Sequence, residues 1–205
     1  MKVLSILPLV LLLLSSCSSD ISETEKIKAP ARSALPKPAK EKPATTTPKA
    51  FVSEEGGFSI QFPDEPKKHE HDIASEIGQL KLTQFLYSQD GTQMWLASYS
   101  DYPKKMIQLG NHSQLLKGIK YKVLNELHAS TLREDKVKFE DNYDGITFVA
   151  HADKNDLDIL YHIYLVDNRV YQLSMYSSIG EFSSQDSLDF LGSFKLLKEE
   201  NNPPS

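Results

Sequence analysis

Apolar and polar residues alternate along several segments of the chain, and this period of two predicts β-strands. The segment 58–62 places three apolar side chains on one face of a short strand, which ends at Pro63. The segments 77–87 and 94–99 continue the alternation, and the Asp90-Gly91 pair between them is typical of a hairpin turn. This part of the sequence therefore predicts an antiparallel meander.

Between residues 113 and 127 the apolar residues recur every three or four positions, which predicts an amphipathic helix. Strand patterns return after this helix, in the segments 137–139, 145–150, 157–166 and 169–176. The segment 157–166 is apolar on both faces and therefore predicts an interior strand, followed by a tight turn at Asp167-Asn168. A closing helix is predicted from about Ser183, which forms a capping pair with Asp186. The residues of this helix region that we expect to be buried are Leu188, Leu191 and Phe194.

The first residues follow the order of a secretory signal sequence, with Lys2, an apolar run at 3–14 and small residues at 15–16. The run is too short for a stable anchor in a bilayer whose hydrocarbon core is about 30 Å thick. The stretch Leu14-Ser15-Ser16-Cys17 resembles the lipobox of bacterial lipoproteins. This resemblance implies that the signal peptide 1–16 is removed and that Cys17 receives a thioether-linked lipid. The alternative is an ordinary signal peptide in which the cysteine is incidental.

A lipidated Cys17 defines the expected location in the cell envelope, with the membrane as a partner. Several acyl chains on one cysteine give a stable anchor, whereas a single chain gives only marginal binding. Similarity to lipoproteins with serine after the cysteine, as Ser18 here, implies the periplasmic face of the outer membrane in a double-membrane bacterium. Because of Asp20, the inner membrane is the alternative location. Since Cys17 is the only cysteine, we expect a domain without an internal disulfide.

Composition divides the rest of the chain into three parts. Residues 17–50 are rich in Pro, Ala, Lys and Thr, which predicts a disordered tether after the lipidated cysteine. Residues 51–198 have the length of one globular domain, and residues 199–205 are expected to be a disordered tail. The tether is net basic and the domain is acidic, within a formal net charge of −5 for the chain. An acidic domain without a basic patch argues against nucleic acid as a partner.

Five short segments of the domain carry a resemblance to a known family. They are Gly57-Phe58-Ser59-Ile60-Gln61-Phe62-Pro63, Asp101-Tyr102-Pro103, Asp144-Gly145, Arg169-Val170-Tyr171-Gln172-Leu173 and Phe190-Leu191-Gly192-Ser193-Phe194. Through these packing and turn positions the whole domain resembles the PsbP-like superfamily, which includes the Mog-type Ran-binding proteins and the bacterial lipoprotein DcrB. The resemblance implies an α+β fold, an antiparallel β-sheet flanked by helices in a PsbP-like α/β/α sandwich. It also implies a non-enzymatic module that binds or assembles with envelope proteins and needs no cofactor.

The aromatic residues Trp95, Tyr99 and Tyr102 are the predicted partner contacts, because aromatic side chains combine contact area with a polar tip. Aromatic residues are equally favoured in strands, where most of them pack in the core. A Gly-x-Ser-x-Gly elbow and a phosphate-binding glycine loop are both missing from the sequence. The sequence therefore predicts no catalytic residues and no enzyme activity.

The densest cluster of metal-binding residue types is His69-Glu70-His71-Asp72. On a strand, His69 and His71 would project to one face and could chelate a divalent metal such as zinc or copper. Two ligands are fewer than the four of a structural site, so an exposed polar strand is the competing interpretation. The segment 153–158 has many oxygen ligands but lacks the glycine and distal glutamate of a helix-loop-helix calcium site, which favours a polar turn. The alternative function is thus a periplasmic metal- or small-ligand-binding protein.

Replacement of Cys17 by serine tests the predicted anchor. The variant is expected to remain unlipidated, because the lipid is attached through the cysteine sulfur. Mass spectrometry of the N-terminal peptide from membrane fractions should find a lipidated Cys17 in the unaltered chain and none in the variant, with a Ser18→Ala chain as the lipidated control. An unlipidated Cys17 in the unaltered chain, or cleavage at another bond, would contradict the prediction.

Overall fold

The computed structural model describes residues 50–75, 78–178, 180 and 182–197. The signal peptide 1–16, Cys17, the tether up to residue 49 and the tail 199–205 lie outside these described residues. The strands are β1 (Phe51–Ser53), β2 (Phe58–Ile60), β3 (Lys67–Ser75), β4 (Gly78–Gln89), β5 (Gln93–Asp101), β6 (Ser130–Phe139), β7 (Tyr143–Ala152), β8 (Leu157–Val166), β9 (Arg169–Ser177) and β10 (Lys195–Leu196). The α-helices are α1 (Lys104–Leu109), α2 (His112–Leu127) and α3 (Ser184–Phe190).

Seven of the strands form one antiparallel sheet in the order β3-β4-β5-β9-β8-β7-β6. Strands β1, β2 and β10 form a second, smaller antiparallel sheet. In the large sheet, every neighbouring pair except β5 and β9 is consecutive in the sequence. The described domain is therefore α+β and is built mainly on an antiparallel sheet, as the sequence predicts.

The predicted turns around the central strands are confirmed. Asp90 and Gly91 have φ angles of 51° and 68°, and the backbone N–H of Thr92 donates to the Gln89 carbonyl at 3.0 Å. Asp167, with φ of 52°, lies in the turn between β8 and β9. Strand β8 has the predicted bounds and lies between β7 and β9, so its prediction as an interior strand is confirmed.

The two edge strands differ most from the hydrophobic pattern. Strand β6 spans ten residues, whereas the pattern predicted a strand only at 137–139, and β3 was considered only as a possible setting for its two histidines. Both strands are rich in charged residues. Charged side chains on an edge discourage pairing with other chains, and they also remove the alternation from which a strand is predicted.

One face of the large sheet packs against the small sheet and the region of α3. Phe58 on β2 is 1% exposed, and its ring centroid lies 5.9 Å from that of Tyr171 and 6.4 Å from that of Tyr99. The ring of Phe194, which follows α3, lies 5.6 Å from that of Phe58. Tilted and edge-on aromatic pairs at these distances contribute about 0.5–1.5 kcal/mol beyond their buried area. This aromatic cluster holds the small sheet against β5 and β9.

Helix α2 covers the opposite face, over β7 and β8. The predicted amphipathic helix is confirmed, and it begins one residue earlier, where the Asn111 side chain accepts a hydrogen bond from the N–H of Gln114. The buried residues recur every three or four positions and are Leu116, Lys120, Leu124 and Leu127. The Lys120 ammonium donates to the Glu134 carboxylate on β6, so this buried charge is paired.

The capping pair predicted for the closing helix is confirmed. The Ser183 hydroxyl accepts from the N–H of Asp186, and the Asp186 carboxylate accepts from the N–H of Ser183. Leu191 and Phe194 are buried as predicted. The prediction for Leu188 is wrong, because its side chain is 64% exposed. The α-helix passes into a 3-10 turn at Leu191–Ser193, which changes the face that the following residues present.

None of the described helices combines the length and the apolar composition that a membrane span requires.

Phe58→Ala tests the role of the aromatic cluster. Removing a fully buried phenylalanine should lower the free energy of unfolding by about 3–5 kcal/mol, since the ring leaves a cavity between the two sheets. Leu188→Ala on the exposed side of α3 is the control and should change it by less than about 0.5 kcal/mol. Urea unfolding followed by tryptophan fluorescence measures both, and similar losses in the two variants would contradict the packing described here.

Candidate functional site

An ion pair joins the ends of β5 and β9 at one rim of the large sheet. Asp101 and Arg169 are directly opposite each other in the register. The Arg169 Nε donates to Asp101 Oδ1 at 2.6 Å and its Nη2 donates to Oδ2 at 2.7 Å. These hydrogen bonds hold the pKa of Arg169 above its ordinary value. A two-point contact of this kind fixes orientation as well as distance.

Arg169 and Tyr171 also attach the turn between β1 and β2 to this rim. The Nη1 of Arg169 donates to the Glu55 carbonyl at 2.9 Å, and the Tyr171 hydroxyl donates to the Gly56 carbonyl at 2.7 Å. The Arg169 guanidinium lies 4.6 Å from the centroid of the Tyr99 ring, a cation–π distance. A side chain at Gly56 would collide with the Phe58 ring, since a Cβ there would lie 2.6 Å from it. The rim is thus tied to the aromatic cluster.

Tyr102 follows β5 and is held by its backbone. Its N–H donates to the Asn168 carbonyl at 2.8 Å, and the Asn168 side-chain amide donates to the Tyr102 carbonyl at 2.9 Å. The Tyr102 side chain is partly exposed, and burial of the remainder raises the pKa of its hydroxyl. Helix α1 starts two residues later and ends with Leu109, which is 88% exposed. We call residues 102–109 the Tyr102–Leu109 segment.

The structure corrects two of the three predicted partner contacts. Trp95 and Tyr99 are 4% and 5% exposed, so their rings belong to the core and present no surface to a partner. The Trp95 ring packs at 5.5 Å from Tyr87 and 6.0 Å from Phe182. Only Tyr102 of this set reaches solvent. Leu109 was missed because a helix of six residues is too short for its apolar residues to show a periodicity, which would mark Leu109 as exposed.

His69 and His71 lie on β3 and point to the same face of the sheet, with ring centroids 6.4 Å apart and ring planes 13° from parallel. Glu70 lies on the opposite face, where its carboxylate pairs with Lys68 at 2.7 Å and with Lys81 at 3.0 Å. The cluster therefore separates into a histidine face and a charged face. Within the described residues, no three His, Cys, Asp or Glu side chains lie close enough to hold a metal.

The oxygen-rich segment after β7 surrounds a histidine. His151 Nδ1 lies 2.7 Å from Asp158 Oδ1, and its Nε2 lies 3.7 Å from carboxylate oxygens of Asp153 and Asp156. The hydrogen bond with Asp158 raises the pKa of His151. The segment itself forms a short 3-10 turn at Asp153–Asn155. These carboxylates therefore favour the protonated imidazole.

His162 on β8 is half-buried and lies 2.9 Å from the Tyr164 hydroxyl through its Nδ1. Burial lowers the pKa of His162 to about 4, so the imidazole is neutral at pH 7 and accepts a hydrogen bond from the tyrosine. His162 is thus a hydrogen-bonded histidine within a largely apolar strand. His112, at the start of α2, lies 3.3 Å from one carboxylate oxygen of Asp144. The Lys138 ammonium donates to the other oxygen of the same carboxylate at 2.7 Å.

Comparison with known proteins finds similarity among solved structures. No protein-family model matches the chain, and no curated protein matches it. Among solved structures, the chain is similar to a crystal structure from Bacteroides thetaiotaomicron VPI-5482, with 17% sequence identity and a TM-score of 0.36. The match covers 77% of this chain and 51% of that one, so it spans about half the length of that protein. A similarity at this TM-score carries no argument about function.

His162→Gln tests whether the half-buried imidazole of His162 is neutral at pH 7. Because the folded pKa lies below the ordinary value of 6.5, stability is complete above that pH and falls as the pH drops toward 4. Between pH 7 and pH 4.5 this histidine should account for a loss of about 2 kcal/mol. Glutamine keeps an acceptor for Tyr164 but does not titrate. In urea unfolding experiments, the free energy of unfolding of the variant should therefore fall by about 2 kcal/mol less than that of the unaltered protein between these pH values. His151 does not obscure this difference, because a raised pKa adds stability as the pH falls, which is the opposite direction, and this residue is present in both proteins. Equal acid losses in both proteins would contradict the assignment.

Proposed function

We propose that this protein is a membrane-anchored envelope lipoprotein whose PsbP-like domain acts as a non-enzymatic protein-binding or assembly module. Two observations support the first part of the proposal. The stretch Leu14-Ser15-Ser16-Cys17 has the residue types of a lipobox. The antiparallel sheet, with α2 on one face and both the small sheet and the region of α3 on the other, supports the proposal of a PsbP-like α/β/α sandwich.

The Tyr102–Leu109 segment is the proposed partner contact, and the exposure of Leu109 is the observation that carries it. Full burial of a leucine side chain against a partner contributes about 1.5–3 kcal/mol. The segment starts from a backbone fixed by Asn168 and by the Asp101–Arg169 ion pair, so little ordering is needed on binding. Tyr102 adds an aromatic side chain of the kind enriched at interfaces.

The arrangement of titratable groups supports a non-enzymatic role. His151 and His112 are engaged with carboxylates, and His162 is engaged with a tyrosine hydroxyl. A general acid or base needs a proton acceptor or donor directed at a substrate, within a concave site. In the described part of the chain, these histidines instead stabilise turns and strands of the domain.

The proposed location is the periplasmic face of the outer membrane, with attachment through Cys17. If residues 17–50 form the flexible tether that their composition predicts, its typical reach is on the order of 30 Å, and roughly 100 Å when stretched. The Tyr102–Leu109 segment could therefore contact a membrane-bound partner at a range of distances. A chain anchored in the inner membrane would present the same segment to the same compartment.

Site-specific photocrosslinking in living cells tests this function. A photoreactive residue at position 109 of the full lipidated chain should give one adduct of defined mass, because this side chain contacts the partner. The same residue at position 188 is the matched control, since Leu188 is also an exposed leucine on a helix. Tyr102→Ala in the position-109 chain should reduce the adduct at least about fivefold, in line with a loss of about 1 kcal/mol.

Two results would contradict the proposal. One is the lack of an adduct at position 109, and the other is an identical adduct from positions 109 and 188. A Cys17→Ser version of the position-109 chain separates the two parts of the function. Loss of the adduct in this version shows that the anchor delivers the domain to its partner, whereas an unchanged adduct refutes a role for the anchor in that contact.

A further inference from the structure

We propose that β3 is a metal-dependent pairing edge, at which one divalent transition-metal ion binds four histidines from two copies of this chain. This inference is independent of the proposed partner contact. The four ligands are His69 and His71 from each copy. Imidazole nitrogen suits zinc, copper and nickel ions.

The geometry of one chain provides half of such a site. Zinc binds imidazole nitrogen at about 2.0–2.1 Å, which places the centroids of two imidazoles on one tetrahedral ion about 5 Å apart. The rings of His69 and His71 are already 6.4 Å apart and nearly parallel. His69 is exposed, so a rotation of its side chain can supply the remaining 1 Å or so, well within the range of its rotamers. The spacing of the two rings is therefore within about 1.5 Å of that of a chelating pair. The Nε2 atom of His71 is buried without a hydrogen-bond partner, so this ring must turn outward to bind an ion through that atom.

One chain does not supply the other ligands. Across the strand pair, Gln84 stands opposite His69 and Leu82 stands opposite His71. Glu70 and Asp72, the acidic neighbours in sequence, point to the other face. No group of three metal-binding side chains occurs anywhere in the described ranges. A closed four-ligand site therefore requires a second molecule.

The outer side of β3 can bind that second molecule. Strand β3 is nine residues long and is the edge of the large sheet, with β4 as its paired neighbour on the inner side. An edge strand presents unpaired backbone N–H and C=O groups to another strand. Twofold symmetry is the commonest arrangement in oligomers of identical chains, and pairing of β3 with the same strand of a second copy has this symmetry.

One antiparallel register brings all four histidines together. With the twofold axis at Glu70, His69 of each copy stands opposite His71 of the other, and directly opposite residues share a face with Cβ atoms about 4.5–5.5 Å apart. Axes at His69 or His71 place only two imidazoles opposite each other. The register centred on Glu70 is therefore the one that builds the site.

The charges on the opposite face fit the same register. Lys68 of each copy stands opposite Asp72 of the other, which gives two cross-strand pairs of opposite charge. The two Glu70 side chains meet at the axis, but each is already paired with Lys68 and Lys81. Lys67 shares the histidine face and stands opposite Ile73 of the second copy, at the outer ends of the cluster. Without a metal, this charged strand lacks an apolar surface to drive pairing, so the dimer should depend on the ion.

Light-scattering mass measurements on the detergent-solubilised full chain test the proposal, with Zn²⁺ as the probe. Half an equivalent of Zn²⁺ per chain should double the protein mass, and a chelator should reverse the change. The double variant His69→Asn/His71→Asn should remain a monomer at every zinc concentration used. His128→Asn is the matched control, because His128 is exposed, lies at the end of α2 with φ of 52°, and asparagine tolerates that conformation.

A disulfide measures the register without altering the ligands. Glu70→Cys places two thiols opposite each other on the face away from the histidines, so mild oxidation should give a covalent dimer with Zn²⁺ and at least about tenfold less without it. Asp135→Cys on the other edge strand, β6, and the chain without an added cysteine are controls that should stay monomeric. Zinc binding by a monomer at one equivalent, a dimer that ignores the chelator, or no binding at all would each overturn the proposal.

Discussion

The large sheet is apolar on both faces, and covering those two faces is the constraint from which the rest of the domain follows. The cover differs from side to side. On one side, the aromatic ring of Phe58 brings the small sheet against β5 and β9. On the other side, one amphipathic helix lies over β7 and β8. Trp95 and Tyr99 become core residues for this reason, since the face on which they stand is the one that the small sheet covers.

Neither the small sheet nor α2 covers the edges of the large sheet or the rim beside Arg169, so these parts form the remaining surface. Both edges are charged, which keeps the isolated domain from pairing through its backbone. The rim is different, because ion pairing and backbone hydrogen bonds fix a segment that ends in an exposed leucine. The proposed contact and the proposed metal-dependent edge therefore use surfaces of different character. The first is fixed at its start by hydrogen bonds and carries an exposed leucine, whereas the second is polar and depends on an ion.

Much of the fold could be predicted from the sequence, because the interior strands and α2 are buried on defined faces and their apolar residues show the corresponding period. Strand β8 and the Ser183–Asp186 capping pair are examples. The charged strand β6 could not be predicted to its full length, since exposure on both faces leaves no alternation. The exposure of the proposed partner contacts was harder still to predict. A strand pattern shows that Trp95 and Tyr99 share a face but not whether another layer covers it, and that depends on residues far away in sequence. Tyr102 was predicted, but Leu109 has no local signal.

The order of strands in the large sheet sets the order in which the protein can fold. The meander from β3 to β5 and the meander from β6 to β9 each consist of neighbours in sequence, and β5 joins β9 across 68 residues, the separation of Asp101 and Arg169. A hairpin forms in about 1–10 μs, so each meander can form from local contacts. Pairing of distant segments is slower, because closing a long loop costs chain entropy before the contacts are gained. Pairing of β5 with β9, rather than hairpin formation, therefore limits how soon this sheet can close.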